Sequence, residues 1–228
     1  SYLSQNSITR FMNVLLVAAT DLEMKQASKH LSATKHTLNR PSKRVHIEQL
    51  VTGIGITQTT FHLTKKLLGE SYDLVMNIGI CGAFDTSLSL GQVVRIYRDR
   101  FSDWGLDNGL EFTDVFDLGL ELSMNEPFDK GWIYDAPPLN AISCHHLKSV
   151  SGFTVNTIRT ITPERSDTTL YADTESMEGA AFLYVCRKMK MPCLQIRAVS
   201  NYVGDRDKSR WDIDGALKNL NVVLSELF

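Results

Sequence analysis

Short apolar runs closed by glycine or polar residues alternate along the chain with stretches of helical period. Val14–Ala19 (VLLVAA) is apolar at every position, the pattern of a strand buried on both faces. Asp21 then opens a helix whose N-terminal dipole favours acidic residues. Val45–Val51 alternates in period two, and Gly53 and Gly55 separate it from a second helix. That helix sets Ile56, Thr60, Leu63 and Leu67 on one face and Lys65 and Lys66 on the other. Leu74–Ile80 predicts the next buried strand, closing in the turn Gly79-Ile80-Cys81-Gly82, and Gln92–Tyr97 predicts another. Periodicity fades over residues 103–140, which contain Pro127, Pro137 and Pro138; irregular segments of that length usually serve function. Beyond it the spacing predicts a strand from Val150 into Thr157, a helix from Met177 to about Lys190 and a strand over Cys193–Ser200. A final helix over about Asp214–Phe228 buries Leu217, Leu220, Val223, Leu224 and Leu227.

Strands separated by helices indicate an α/β fold, a three-layer αβα sandwich around a mixed, mostly parallel sheet. The 228 residues are expected to form one domain, with residues 1–12 as an irregular N-terminal extension. Composition narrows the function classes. A chain with 43% hydrophobic and 22% charged residues is neither disordered nor fibrous. A net charge of −2 without a basic stripe argues against nucleic acid and acidic membranes as partners. Cys81, Cys144, Cys186 and Cys193 lack metal-ligand or CxxC spacing, so reduced thiols in the cytoplasm are expected. The opening apolar run is too short for a signal segment or a membrane span. His145 and His146 have no partner ligands at metal spacing, and neither metal nor cofactor is expected.

Ligands in such sheets bind outside the strand carboxyl ends, and four of those ends carry unusual residues. Glu23 follows the first strand, two residues into its helix; a first-turn carboxylate there also simply suits the dipole. Gly79 and Gly82 follow the third within NIGICGAF, where glycine permits a sharp turn or close approach to a ligand. GIGITQTT at 53–60 is a poor dinucleotide signal, lacking the third glycine and the later acidic residue. In DTESMEGAAF (173–182), Glu175 and Glu178 bracket Met177, and the inward-packing neighbours of Glu178 make it a candidate buried carboxylate that needs donors. RAVSNY (197–202) ends the late strand in Ser200 and Asn201.

Taken in order, GxxG after a strand, MEGAA, then RAVS followed by a polar residue resembles the nucleoside phosphorylase/nucleosidase superfamily, from about Val14 to the C-terminus. Within it, YDLVMNIGICGAFD, GFTVNT, ESMEGAA and RAVSNYVGDRDKSRW are similar to the futalosine hydrolase branch, whose members remove hypoxanthine from futalosine in the menaquinone pathway of certain bacteria. The resemblance implies a nucleoside phosphorylase-like fold, a small-molecule nucleoside substrate and a homodimer or larger homo-oligomer. It implies roles as well: Glu23 activates the attacking water, Glu178 binds the ribose hydroxyls, and Met177, with Ser176 beside it, packs below the sugar. Gly79, Ile80, Cys81 and Gly82 approach the sugar and the nucleophile, Val155, Asn156 and Thr157 line the base pocket, and Asn201 contacts the purine.

Two departures from the family pattern refine this. Phosphorylases of the family carry hydroxyl residues in the glycine turn and arginines nearby, whereas here the turn holds Ile80 and Cys81 and TDLEMKQ (20–26) has no arginine. Phosphate needs several donors, so water is the expected nucleophile. Asn201 stands where nucleosidases of 6-aminopurines have aspartate. Its NH₂ can donate to a 6-oxo group while its carbonyl accepts from a protonated N7. The rival readings are a methylthioadenosine/S-adenosylhomocysteine nucleosidase, a purine nucleoside phosphorylase, and a nucleoside-binding or storage protein without turnover. Phe84, Phe101, Trp104 and Trp211 are candidate caps on the site, and the loop Asp205, Arg206, Asp207 and Arg210 is a candidate contact for a substrate carboxylate.

Overall fold

The computed structural model describes residues 11–34, 44–138, 142, 144–158, 164–165, 171–205 and 207–228. In chain order the elements are β1 (Phe11–Ala18), α1 (Asp21–Thr34), β2 (Arg44–Val51), α2 (Ile56–Gly69), β3 (Leu74–Ala83) and β4 (Val93–Phe101). Then come β5 (Gly105–Asp107), β6 (Glu111–Asp114), β7 (Ile133–Tyr134), β8 (Lys148–Thr154), β9 (Glu164–Arg165) and β10 (Thr174–Ser176). The chain closes with α3 (Gly179–Lys188), β11 (Cys193–Tyr202), a 3₁₀ turn (Lys208–Arg210) and α4 (Ile213–Leu227). The main sheet runs β10-β8-β4-β11-β3-β1-β2, with β7 added beside β4. Pairings β1–β2, β1–β3, β3–β11, β4–β8 and β8–β10 are parallel, whereas β4–β11 and β3–β10 are antiparallel. A second sheet, β5-β6-β9, occupies part of the stretch that lost periodicity.

Two-residue periodicity divides the core. Val14, Leu16, Leu74, Met76, Ile78, Leu194, Ile196 and Ala198 face the layer of Met24 from α1 and Leu220 and Leu224 from α4. Leu15, Val17, Val75 and Cys193 face the opposite layer of Leu63 and Leu67 from α2 and Phe182 and Leu183 from α3. Fully burying a side chain of the Leu or Ile class contributes about 1.5–3 kcal/mol, so register is strongly specified on both faces. Toward the strand carboxyl ends the second face changes character. Asn77 on β3, Asp99 on β4, Thr154 on β8, and Gln195 and Arg197 on β11 are all buried polar residues.

β10 is the piece the sequence pattern lacks. Three residues long, it pairs with both β8 and β3, so β3, β11, β4, β8 and β10 close on themselves as a ring. This moves the start of α3 from Met177 to Gly179 and leaves Met177 and Glu178 in the turn out of the seam strand. The strand expected to reach Thr157 stops at Thr154, because the Asp103 carboxylate takes the N–H groups of Asn156 (2.6 Å) and Thr157 (3.0 Å) and turns the chain. β11 runs past Ser200 to Tyr202, with its register against β3 shifting between Val199 and Asn201. On α2 the buried threonine is Thr59 rather than Thr60. β1 begins at Phe11, so the irregular extension excludes Phe11 and Met12; its remainder lies outside the described residues. All four cysteines are free and buried, and His145 and His146 are exposed. Among the described residues no helix is long and apolar enough to cross a membrane.

Candidate active site

A cavity of about 310 Å³ opens at the carboxyl ends of β1, β3, β10 and β11. Glu23, Ile80, Cys81, Gly82, Ser176, Met177, Glu178 and Asn201 all line it, so residues from both ends of the chain converge there.

Glu23 sits in the first turn of α1 and is only 6% exposed. Its Oε2 accepts from the Thr20 backbone N–H (3.0 Å) and hydroxyl (2.8 Å), while the Glu23 N–H donates back to Thr20 Oγ1 (3.2 Å). This is a capping box: the pairing that starts the helix also fixes the carboxylate. Oε1 accepts the Ile80 N–H at 3.1 Å, tying the end of β3 to the same group. Gly79 makes the approach possible. A Cβ there would lie 2.5 Å from Glu23 Oε1 and 2.7 Å from Arg197 Nη1.

Arg197 is the buried cation behind the site, which the sequence pattern alone did not single out. It is 1% exposed and donates to Gln195 Oε1 (3.3 Å), Ile80 O (3.3 Å), Asn77 Oδ1 (2.6 Å) and Glu178 Oε2 (3.5 Å). The signal was period-two polarity inside an apolar strand, Gln195 and Arg197 in LQIRAVS, matched by Asn77 in VMNIG. Glu178 Oε1 accepts from the Gly55 N–H (3.0 Å), which draws the β2–α2 turn to the site; Gly55 has φ 91°, which an L side chain adopts only with strain. Glu178 occupies the N-cap of α3 without capping it. Ser176 Oγ and Thr154 Oγ1 accept the Gly179 (3.3 Å) and Ala180 (2.7 Å) N–H groups instead, which leaves the Glu178 carboxylate for the cavity. Beneath lies Asp99, which accepts from Thr154 Oγ1 (2.9 Å), the Arg100 N–H (2.8 Å) and Gln195 Nε2 (3.1 Å). Burial pushes its carboxyl up to about 6 despite those donors and the Arg197 charge.

On the opposite wall, the bulge at Ser200 aims Asn201 into the cavity. Ser200 Oγ donates to Asn201 Oδ1 (2.8 Å), and Asn201 Nδ2 donates to Tyr202 O (3.2 Å). One N–H and one carbonyl lone pair of Asn201 stay available. Burial pushes the Cys81 thiol up to about 12, which keeps it neutral and unreactive.

Other expected residues lie elsewhere. Val155 is buried off the cavity, and Asn156 and Thr157 are turned out by Asp103; among the described residues of that segment only Ile158 lines the site. Of the aromatic candidates Trp211 alone lines it. Phe101 and Trp104 pack with Phe116, Phe128 and Tyr184, and Phe84 packs on Phe153. Arg210 is paired with Asp205 (2.8 Å) and Asp207 (3.5 Å), and Arg206 lies outside the described residues. The lining holds four carboxylates, Glu23, Glu175, Glu178 and Asp205, and neither lysine nor arginine among the described residues. Two of the four are ion-paired from outside the lining, Glu178 with Arg197 and Asp205 with Arg210, and the lining itself offers a phosphate no cationic side chain among the described residues.

Residues 13–228 match the Phosphorylase superfamily. The chain is 27% identical to a futalosine hydrolase of Streptomyces coelicolor over 95% of both chains. It is also 27% identical to a 5′-methylthioadenosine/S-adenosylhomocysteine nucleosidase of Psychromonas ingrahamii, over 78% of this chain and 79% of that one. A solved futalosine hydrolase mutant of Helicobacter pylori shares the fold with a TM-score of 0.72 at 18% identity, covering 95% of this chain and 98% of that one.

Proposed function

This chain belongs to the phosphorylase superfamily, and on that premise we propose that it hydrolyses the N-glycosidic bond of futalosine, releasing hypoxanthine and dehypoxanthine futalosine for menaquinone synthesis. The observation that carries the choice of water over phosphate is the cavity lining, with four carboxylates and no cationic side chain among the described residues. Breaking the bond between the sugar and the base leaves the electron pair on the purine and positive charge on the ribosyl carbon. Glu178 holds the ribose hydroxyls, and Met177 packs below the ring. Glu23, locked by three donors, accepts a proton from the attacking water, while Arg197, buried behind Gly79, positions Glu178 (3.5 Å) and the Ile80 carbonyl (3.3 Å). Asn201 uses its available N–H on the purine 6-oxo group and its carbonyl on the N7–H that forms as the departing base takes a proton from solvent. A methylthioadenosine nucleosidase is the competing reading, and the neutral Asn201 side chain disfavours it, having no acidic proton for an adenine ring.

Release of the free base, hypoxanthine from futalosine and inosine and adenine from methylthioadenosine, measured with and without phosphate, tests the reading. Phosphate-independent turnover of futalosine is expected. Turnover of methylthioadenosine alone, or a requirement for phosphate, refutes it. The exposed Leu106, Leu110, Leu120, Leu122 and Met124 also support self-association of copies of the chain. Light scattering should then give a multiple of 25.6 kDa, and a mass of one chain counts against it.

A further inference from the structure

We propose that Glu175 selects the base: its carboxylate accepts the N1–H of a 6-oxopurine and turns away 6-aminopurines. This rests on the hydrolase reading above and deepens it. The geometry begins with Gly82, which pairs with Asn201 on β11 and with Glu175 on β10. The three residues form one row across adjacent strands, where opposite positions share a face, and all three line the cavity. Two strand spacings put the outer residues about 10 Å apart at Cα. The middle position has no side chain, and a Cβ there would meet Asn201 Nδ2 at 3.2 Å and Val203 Cγ2 at 2.9 Å. The row is therefore a slot with a glycine floor, an amide on one side and a carboxylate on the other. A purine over that floor with its O6 and N7 at Asn201 carries N1 on the neighbouring edge, beside O6, where the longer Glu175 side chain can reach it from the flank of the slot.

Glu175 is free for that task. Half-buried in the cavity wall, its carboxylate has no hydrogen bond or ion pair among the described residues. Glu23, Glu178 and Asp99, by contrast, all have backbone or side-chain donors. A half-buried carboxylate facing a cavity without a protein donor is open to a donor that a ligand supplies. Burial, with the Asp103 charge adding to it, pushes its carboxyl up to about 7. A 6-oxopurine has N1–H, a donor, whereas a 6-aminopurine has a bare N1 lone pair, so the ionised carboxylate matches the first and repels the second. Protonated, Glu175 would tolerate the second. The other titratable groups around it are Asp103 beside β8, Cys81 on β3, and Glu23, Glu178 and Asp205 on the cavity wall.

The test is calorimetric binding of hypoxanthine and of adenine to the wild type, Glu175→Leu and Glu175→Gln, at about pH 6 and about pH 8. In the wild type, preference for hypoxanthine should rise with pH. Glu175→Leu should lose roughly ten- to hundredfold in hypoxanthine affinity while adenine affinity holds, as expected for removing a charged acceptor. Glu175→Gln retains a carbonyl for N1–H and adds an NH₂ for a bare N1, so it should keep hypoxanthine and gain adenine. Both variants should lose the pH dependence. Equal changes for the two bases in both variants, or an unchanged preference, overturn the proposal. Futalosine turnover by the wild type is measured alongside: its absence condemns the hydrolase reading, whereas turnover with unaltered base selectivity in the variants condemns this inference alone.

Discussion

Replacing Gly79 by alanine adds one methyl group at the closest point between the two charged partners of the site. That Cβ would stand 2.5 Å from Glu23 Oε1 and 2.7 Å from Arg197 Nη1. Contacts below 3.0 Å do not persist, so Oε1 must withdraw by about 0.5 Å and Nη1 by about 0.3 Å, in opposite directions. Both atoms end side chains, so the fold can absorb the change at a cost of about 1–2 kcal/mol, or a Tm lower by roughly 2–8 °C. Catalysis has less room. Glu23 is held by donors from Thr20 and Ile80, and moving Oε1 breaks the latter or rotates the carboxylate off its water. Misplacement on the ångström scale costs about 10²-fold, equivalent to about 2.7 kcal/mol of barrier. Gly79→Ala should therefore lower kcat by about two orders of magnitude, with KM altered by less than about threefold. The assay is hypoxanthine release from futalosine beside a thermal melt. Gly69→Ala, where a Cβ meets nothing within 4 Å, serves as the control. A folded Gly79→Ala protein with wild-type kcat would refute the assignment of Glu23 to the nucleophile.

Glu23→Gln keeps the size of the side chain and removes the proton acceptor, so kcat should fall by about 10²–10⁴-fold while a non-hydrolysable ligand still binds; equal kcat in the two proteins sinks the role. Asn201→Asp trades an amide donor for a carboxyl and should slow hypoxanthine release while admitting adenine nucleosides; an unchanged base preference in competition assays counts against the pairing. Asp99 gives the stability curve a sign. Its folded carboxyl titrates near 6, above its ordinary range, so the folded state holds more protons than the unfolded state between the two values. Its contribution is most favourable at low pH and declines as pH rises toward 6. Urea unfolding of the wild type and Asp99→Asn across that window should diverge in slope; parallel curves show that Asp99 does not titrate there.

Much of the fold was legible because strands buried on both faces announce themselves. Val14–Ala19, Leu74–Ile80 and Cys193–Ser200 each form a central strand close to the expected limits. β10 was not legible, since three residues are too few for periodicity and its pairing with Gly82 and Ala83 is set by residues about ninety positions away. The error at Met177 follows from it: dipole-favoured glutamates read as a first helical turn when they instead leave a strand. Within the site, Glu23, Met177, Glu178 and Asn201 were visible as odd residues at strand ends. Arg197 was hidden because a cation in the middle of an apolar strand is explained only by partners on β3 and in the turn after β10. The segment Val155–Thr157 was misplaced because one carboxylate, Asp103, turns it.

The hydrogen bonds that join the site span great lengths of chain. Gly55 to Glu178 is 123 positions, Asn77 to Arg197 is 120, and Ile80 to Arg197 is 117. Loops of that size have high contact order and close slowly, so the site is among the last things this topology can complete. During synthesis, the first strands and helices can collapse long before Arg197 has left the ribosome, and that early structure holds Glu23 with its donors but neither the sugar clamp nor the purine slot. Turnover is therefore a report on the finished molecule rather than on any fragment of it. Each active molecule is one in which the two ends of the chain have found one another.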